Sequence, residues 1–259
     1  MEPYVKVSFR MLSFIALHAI LFFFNCANRT LVTENESSPF QKEILEYALS
    51  DEFPRNGTYR YYWAPTANDT IHLGTTKNID YLGTRLSTVR ENRGTHCVGI
   101  SWQVCMKILQ DWSKRFSGGD AILNLSVADM KKFIDRWFIK LEAQDSVTTL
   151  APPQEKGAVY ALTSYNLGDE IPFDEAQAGD FVQFWRKDNT GHSCIFLNWI
   201  LDHEGNIIGL RYWGSQPQTN GIGTDTELFD PYPDSDMSKR LLVKSRFYAG
   251  RLAPKPGAN

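Results

Sequence analysis

An α+β domain is the fold class this sequence predicts, with helices first and an antiparallel sheet after them. Three observations predict it. Apolar residues recur at helical spacing in segments between Pro39 and Asn166. After Gly168 the pattern changes to runs of strand length, such as Phe181-Val-Gln-Phe-Trp185. Those runs are separated by short turns, Arg186 to Thr190 and Asp202 to Gly205, as antiparallel hairpins require.

Composition narrows the function classes. The 259 residues are 42% hydrophobic and 22% charged, which suits a globular chain and excludes a disordered, collagen-like or coiled-coil one. Lys plus Arg number 27 against 30 Asp plus Glu, a net charge of −3, which fits neither a basic nucleic-acid binder nor an acidic tail. Four cysteines make no disulfide scaffold, and without a Cys-x-x-Cys pair a zinc ribbon has no starting point. A domain of this size buries roughly 70% of its unfolded surface and needs no staples.

The elements follow in order. Lys6 and Arg10 precede an apolar run from Met11 to Phe24, broken only by Ser13 and His18. The run is shorter than the roughly 20 residues of a membrane span and has the length of a signal-peptide core. Residues 1–25 are therefore read as a signal peptide. Cys26 follows at once, so lipidation through Cys26, simple secretion and a retained anchor all stand as readings. Asn25 departs from the small residues that usually precede a lipidated cysteine. Residues 26–38 are polar and read as a tether. Asn28, Asn35, Asn56, Asn68 and Asn124 open glycosylation sequons.

A single domain then occupies 39–259. Pro39 to Leu49 has helical spacing. Residues 51–96 are rich in Gly, Asn, Thr and Tyr and read as irregular. Cys97 to Arg115 is apolar around most of a helical wheel, which predicts a central, buried helix ended by Gly118-Gly119. Ser126 and Asp129 form a capping box ahead of an amphipathic stripe from Val127 to Leu141. Pro152-Pro153 closes that excursion, and Ala158 to Asn166 is a further helix. Strands are expected at Asp180–Trp185, His192–Leu201, Ile207–Trp213 and within Leu241–Leu252.

Cys97 and His192 are the residues that could carry chemistry. Cys97 opens the buried helix, where the positive end of the helix favours a thiolate nucleophile. It also reads as one more small apolar residue of that helix. His192 opens a strand, where it is either a polar edge residue or a general base. If the chain turns near Asp202 to Gly205, antiparallel pairing sets His192 opposite about Ser215. The group that orients the imidazole is then sought in Gly214-Ser215-Gln216. Gln216 is the first choice, because its amide oxygen can accept from the ring N–H. Ser215 is the second, and Asn198, on the His192 face of the strand, is the third. Ser215-Gln216-Pro217 also reads as a plain turn. His96 reads as a cap or a cleft residue, Cys194 as a buried thiol or the partner of Cys97 in a regulatory disulfide, and Cys105 as core. Zinc on Cys97, His192 and Cys194 would lack a fourth ligand.

Ala178-Gly-Asp-Phe-Val-Gln-Phe-Trp185, followed by Gly191-His-Ser-Cys-Ile-Phe-Leu197, resembles the NlpC-type cell-wall cysteine peptidases and the similar CHAP amidases. Cys97-Val98-Gly99-Ile100 matches their nucleophile at a helix N-terminus. Tyr81-Leu82-Gly83-Thr84 resembles the tyrosine-containing turn upstream of it. The likeness runs from about 80 to 252. His96 and Val98 replace the Asp and Ser that often flank the nucleophile, and the segment from about 120 to 168 is a helical insertion. The resemblance implies a papain-like fold and a Cys97–His192–Gln216 triad. It also implies oxyanion donors at Tyr81 and the Cys97 N–H. It implies a cysteine hydrolase that cleaves an amide in peptidoglycan stem peptides, and the leader implies that this enzyme is exported, as a periplasmic, surface-bound or secreted protein. It implies no cofactor, metal or nucleic acid. A silent binding or structural lipoprotein on the same scaffold, and a thiol acyltransferase or amidase with another substrate, are the alternatives.

Overall fold

The computed structural model describes residues 38–62, 71–139, 154–231 and 240–256. The expected leader, Cys26 and the sequons at Asn28, Asn35 and Asn68 lie outside the described residues, as do Leu141 and Pro152-Pro153. Every described residue belongs to one unit spanning 37–259.

Helix α1 (Pro39–Ala48) begins with a capping box, in which Ser38 and Gln41 satisfy each other's backbone N–H groups, and carries Pro39 in its first turn. The region expected to be irregular contains a two-stranded hairpin, β1 (Ile79–Tyr81) and β2 (Thr84–Ser87). Its turn is Leu82-Gly83, both with positive φ, as tight hairpin turns demand. The Gly was visible in the sequence, but a three-residue strand is too short to show a period.

Helix α2 (Cys97–Ser117) is the centre of the molecule, with twelve buried residues. It starts on His96 and stops at Gly118 in the left-handed conformation. Gly99 is obligatory there: a Cβ on it would lie 1.9 Å from the Leu73 carbonyl oxygen. Helix α3 (Val127–Trp137) has the expected Ser126/Asp129 capping box, and α4 (Ala158–Ser164) follows. Met130, Phe133, Trp137 and Leu162 from these two helices join the core around α2.

The rest is a six-stranded antiparallel sheet in the order β3-β8-β4-β5-β6-β7. Its strands are β3 (Gly168–Ile171), β4 (Phe181–Arg186), β5 (Gly191–Leu201), β6 (Ile207–Gln216), β7 (Gly221–Leu228) and β8 (Leu242–Leu252). The two edge strands, β3 and β7, were not expected, because their sequences are polar and glycine-rich. Strand β6 runs three residues beyond its expected end and so carries Gln216 within the sheet. The α+β class with an antiparallel sheet is therefore what the chain adopts.

Alternation along the strands decides which side chains face what. Phe181, Ile195 and Trp213 face the helices and join the core around α2. Val182, Phe184, Cys194, Phe196 and Tyr212 face the other way, into a second apolar cluster. The sheet curls around that cluster. At one end Phe229, just past β7, bridges Leu242 at the start of β8, and the Asp230 N–H donates to the Leu242 carbonyl. All six residues of β4 are buried as a result.

The Gly-Asp before β4 has a structural task. Asp180 is fully buried and accepts from Gln41 Nε2 (2.9 Å), from Arg251 Nε and Nη2 (2.9 and 2.8 Å), and from the Gln177 N–H (2.8 Å). One carboxylate thus ties α1, β8 and the entry of β4 together.

Candidate active site

Cys97 is the first residue of α2, at the end of the sheet where β5 begins and β6 ends. The loop leading to it is pinned from outside: the Tyr62 N–H donates to the Thr95 carbonyl and the Thr95 N–H to the Arg60 carbonyl, both at 2.8 Å. His96 is the helix cap, its Nδ1 accepting from the Gly99 N–H at 3.3 Å. A cleft of about 250 Å³ opens at this point. Cys97, His192, Gln216, Tyr61, Arg186 and Arg240 line it. A larger hollow of about 380 Å³, between the β1–β2 hairpin and α3, has no cysteine or histidine in its wall.

His192 is buried between two rings, Phe184 at 5.3 Å and Tyr212 at 5.1 Å between centroids. Its Nε2 is enclosed without a hydrogen bond, and so are both amide atoms of Gln216. His192 Nε2 and Gln216 Oε1 both lie beside Gly214. A Cβ on that glycine would sit 3.4 Å from Gln216 Oε1 and 3.5 Å from His192 Nε2. Pairing the Nε2–H with Oε1 satisfies two buried groups at once, which is the cheapest resolution of three unpaired polar atoms.

Charge around the pair is set by a buried network. Glu227 is fully enclosed and accepts from Arg186 Nε (2.6 Å) and Nη2 (2.5 Å), Tyr212 Oη (2.7 Å) and Arg240 Nη2 (2.9 Å). Burial, and then the positive charges of Arg186 and Arg240, hold the His192 imidazole well below its ordinary value. Burial pushes the Cys97 thiol up, against the Ser193 and Val98 N–H groups and Arg186, which favour the thiolate. The expected lowering by the helix N-terminus is therefore outweighed by burial. The resting pair is a neutral thiol and a neutral imidazole, without a hydrogen bond between them.

Three expected roles fall elsewhere. Tyr81 does not reach the cleft: its buried hydroxyl donates to the Leu125 carbonyl (2.7 Å) and accepts from the Ile122 N–H (3.1 Å), fixing the turn before α3. Ser215 lies on the helix-facing side of β6, opposite in direction to Gln216, and its hydroxyl pairs with Thr95 at 2.9 Å. Asn198 is exposed and turns back to the Trp199 carbonyl at 2.9 Å. Cys194 and Cys105 are fully buried free thiols, Cys194 in the cluster enclosed by the sheet and Cys105 in the core around α2.

Tyr61 is the tyrosine at the cleft. A backbone bridge to Thr95 sets it two residues from the Cys97 turn. Burial, and then the neighbouring Cys97, push its phenol up to about 12, so it stays a donor. It sits in a loop with no period, and the tyrosine-rich run Tyr59-Arg60-Tyr61-Tyr62 was its one visible signal.

No family model, curated protein or solved structure matches this chain.

Proposed function

We propose that this chain is an exported cysteine hydrolase with a papain-like active site, which cleaves an amide bond in peptidoglycan stem peptides. The single observation that carries the reading is the cleft shared by Cys97, His192 and Gln216. Nucleophile, base and orienting amide come from one helix and two neighbouring strands and open into one cleft, the grouping that triad chemistry uses. The substrate class rests on the likeness to the NlpC-type and CHAP enzymes, and export rests on the apolar leader.

The reaction runs through an acyl-enzyme. His192 takes the thiol proton as Cys97 Sγ bonds to the amide carbonyl carbon. The oxyanion accepts hydrogen bonds from the Cys97 N–H and the Tyr61 hydroxyl. His192 then gives the proton to the amide nitrogen, the C–N bond breaks, and the amine leaves. Water, deprotonated by His192, adds to the thioester, and the carboxylic acid and free thiol are released. Gln216 Oε1, held by the Nε2–H, keeps the other ring nitrogen toward the thiol. A base that rests neutral is ready to accept a proton at neutral pH.

The test is digestion of purified peptidoglycan by the protein, with Cys97→Ser as control, read by mass spectrometry of the fragments. Amide-cleaved fragments from the wild type alone are expected. The raised thiol pKa favours the silent scaffold as the second reading. No cleavage, with Cys97 inert to iodoacetamide across pH 6 to 9, would establish that one instead.

A further inference from the structure

Four buried hydroxyls close in sequence to the candidate triad form two pairs, which join the Cys97 helix and the residues leading into it to the sheet. Thr95 Oγ1 and Ser215 Oγ are 2.9 Å apart. Ser101 Oγ and Ser193 Oγ are 3.0 Å apart. All four residues are fully buried. The placement follows the strand period of two. Ser193 is the immediate neighbour of His192 on β5 and faces α2 while His192 faces away. Ser215 is the immediate neighbour of Gln216 on β6 and does the same. On the other side, Thr95 lies two residues before Cys97 and Ser101 four after it, one helical turn on.

We infer that these two hydroxyl pairs are positioning devices, Ser101–Ser193 setting the thiol against the imidazole and Thr95–Ser215 setting it against Gln216. The inference rests on the proposed hydrolase reading for its purpose, but the geometry stands without it. Three further contacts support the assignment. Ser101 Oγ accepts from Trp137 Nε1 at 3.3 Å and donates to the Val98 carbonyl at 3.1 Å, so its own position is over-determined. The Ser193 backbone N–H is also one of the donors that favour the Cys97 thiolate. A shift of β5 along α2 would therefore move both the base and a donor relative to the sulfur. Dispersion packing alone tolerates such a slide; a buried hydroxyl pair does not, because either partner left alone is an unsatisfied polar group.

Positioning is separable from stability by the chemistry of the sulfur. The experiment measures iodoacetamide alkylation at Cys97, located by peptide mapping, against pH, in Ser101→Ala, Ser193→Ala, the Ser101→Ala/Ser193→Ala double variant, Thr95→Val and Thr95→Ser. Melting temperature is recorded for each. The pH profile of Cys97 alkylation is expected to shift by about a unit or more in Ser193→Ala and Thr95→Val. The double variant should shift no further than Ser193→Ala, and Thr95→Ser should restore the wild-type profile. Profiles that coincide with wild type while melting temperatures fall would reduce the pairs to fold stabilisers and overturn the inference. Where one variant is too unstable to assay, the other of Ser193→Ala and Thr95→Val decides, and a wild-type profile in it overturns the inference. The readout needs no substrate. An absence of cleavage with Cys97 still alkylated would leave the alkylation result intact, failure of the inference would leave peptidoglycan cleavage intact, and a Cys97 inert at every pH would overturn both readings.

Discussion

Two tyrosines separate what the residue type suggests from what the neighbourhood permits. Tyr81 precedes a Gly turn and looked like the oxyanion donor; its hydroxyl instead bridges Leu125 and Ile122. Tyr61, in a loop without pattern, lines the cleft with Cys97. Their phenylalanine variants should therefore behave oppositely. On the proposed hydrolase reading, Tyr61→Phe is expected to lower kcat by about 100- to 1,000-fold, in the range of a lost oxyanion donor, with the melting temperature unchanged. Tyr81→Phe is expected to cost about 1–3 kcal/mol of stability, because it strands two buried backbone groups, while kcat per folded molecule stays put. Steady-state kinetics and thermal melts on the two variants check this. Cys97, His192 and Gln216 were legible from the sequence because chemistry and register constrain them together. Tyr61 was not, because a loop contact over 34 positions to Thr95 leaves no local trace. The departure of burial from the helix-terminus expectation at Cys97 was equally invisible, since it depends on what covers the sulfur.

Among the elements, α2 and the strands β4 to β6 were readable because burial wrote a period into them. The edge strands β3 and β7 were not. Gly221-Ile-Gly-Thr-Asp-Thr-Glu-Leu228 has one neighbour in the sheet and need not be apolar. Its Glu227, nevertheless, is the hub that holds Arg186 and Arg240 beside His192. Likewise Asp180 was read as part of a family motif, and its work is to join α1, β4 and β8. Asp180→Ala would remove the carboxylate from the Arg251 guanidinium, leaving it the Glu175 carbonyl at 3.1 Å, and would leave the Gln41 amide only Gln177 Oε1 at 3.5 Å. Arg251 keeps some contact with water, which trims the roughly 3–5 kcal/mol typical of a broken buried pair to about 2–3 kcal/mol. Chemical denaturation should show that loss in the midpoint without a change of slope. A larger loss of catalytic rate in the folded protein than of stability would mean that Asp180 acts on the cleft as well.

For the whole molecule, the buried titratable groups bracket the pH of greatest stability. His192 is held well below its ordinary 6.5, chiefly by burial. In the folded state it resists a proton that the unfolded chain accepts, so stability is full above about pH 6.5 and falls as pH drops toward the folded value. Cys97, Cys105 and Cys194 are all pushed above their ordinary 9.0 by burial. Their contribution is full below about pH 9 and is lost as pH rises further, where the unfolded thiols ionise and the folded ones do not. The melting temperature should therefore form a plateau from about pH 6.5 to 8.5. His192→Asn should flatten its acid shoulder between pH 6.5 and 5, where carboxylates contribute little. An acid shoulder of equal slope in that variant would show that His192 is not the group responsible.

On the proposed reading, Cys97 is acylated by a wall amide with His192 as its base. The intact mass of the protein after incubation with soluble stem-peptide fragments and acid quenching tests this step. An acyl adduct that peptide mapping locates on Cys97 is expected. It should be missing from Cys97→Ser and form far more slowly in His192→Ala. Fragment cleavage that persists in Cys97→Ser, or a complete absence of both adduct and cleavage in the wild type, would contradict it.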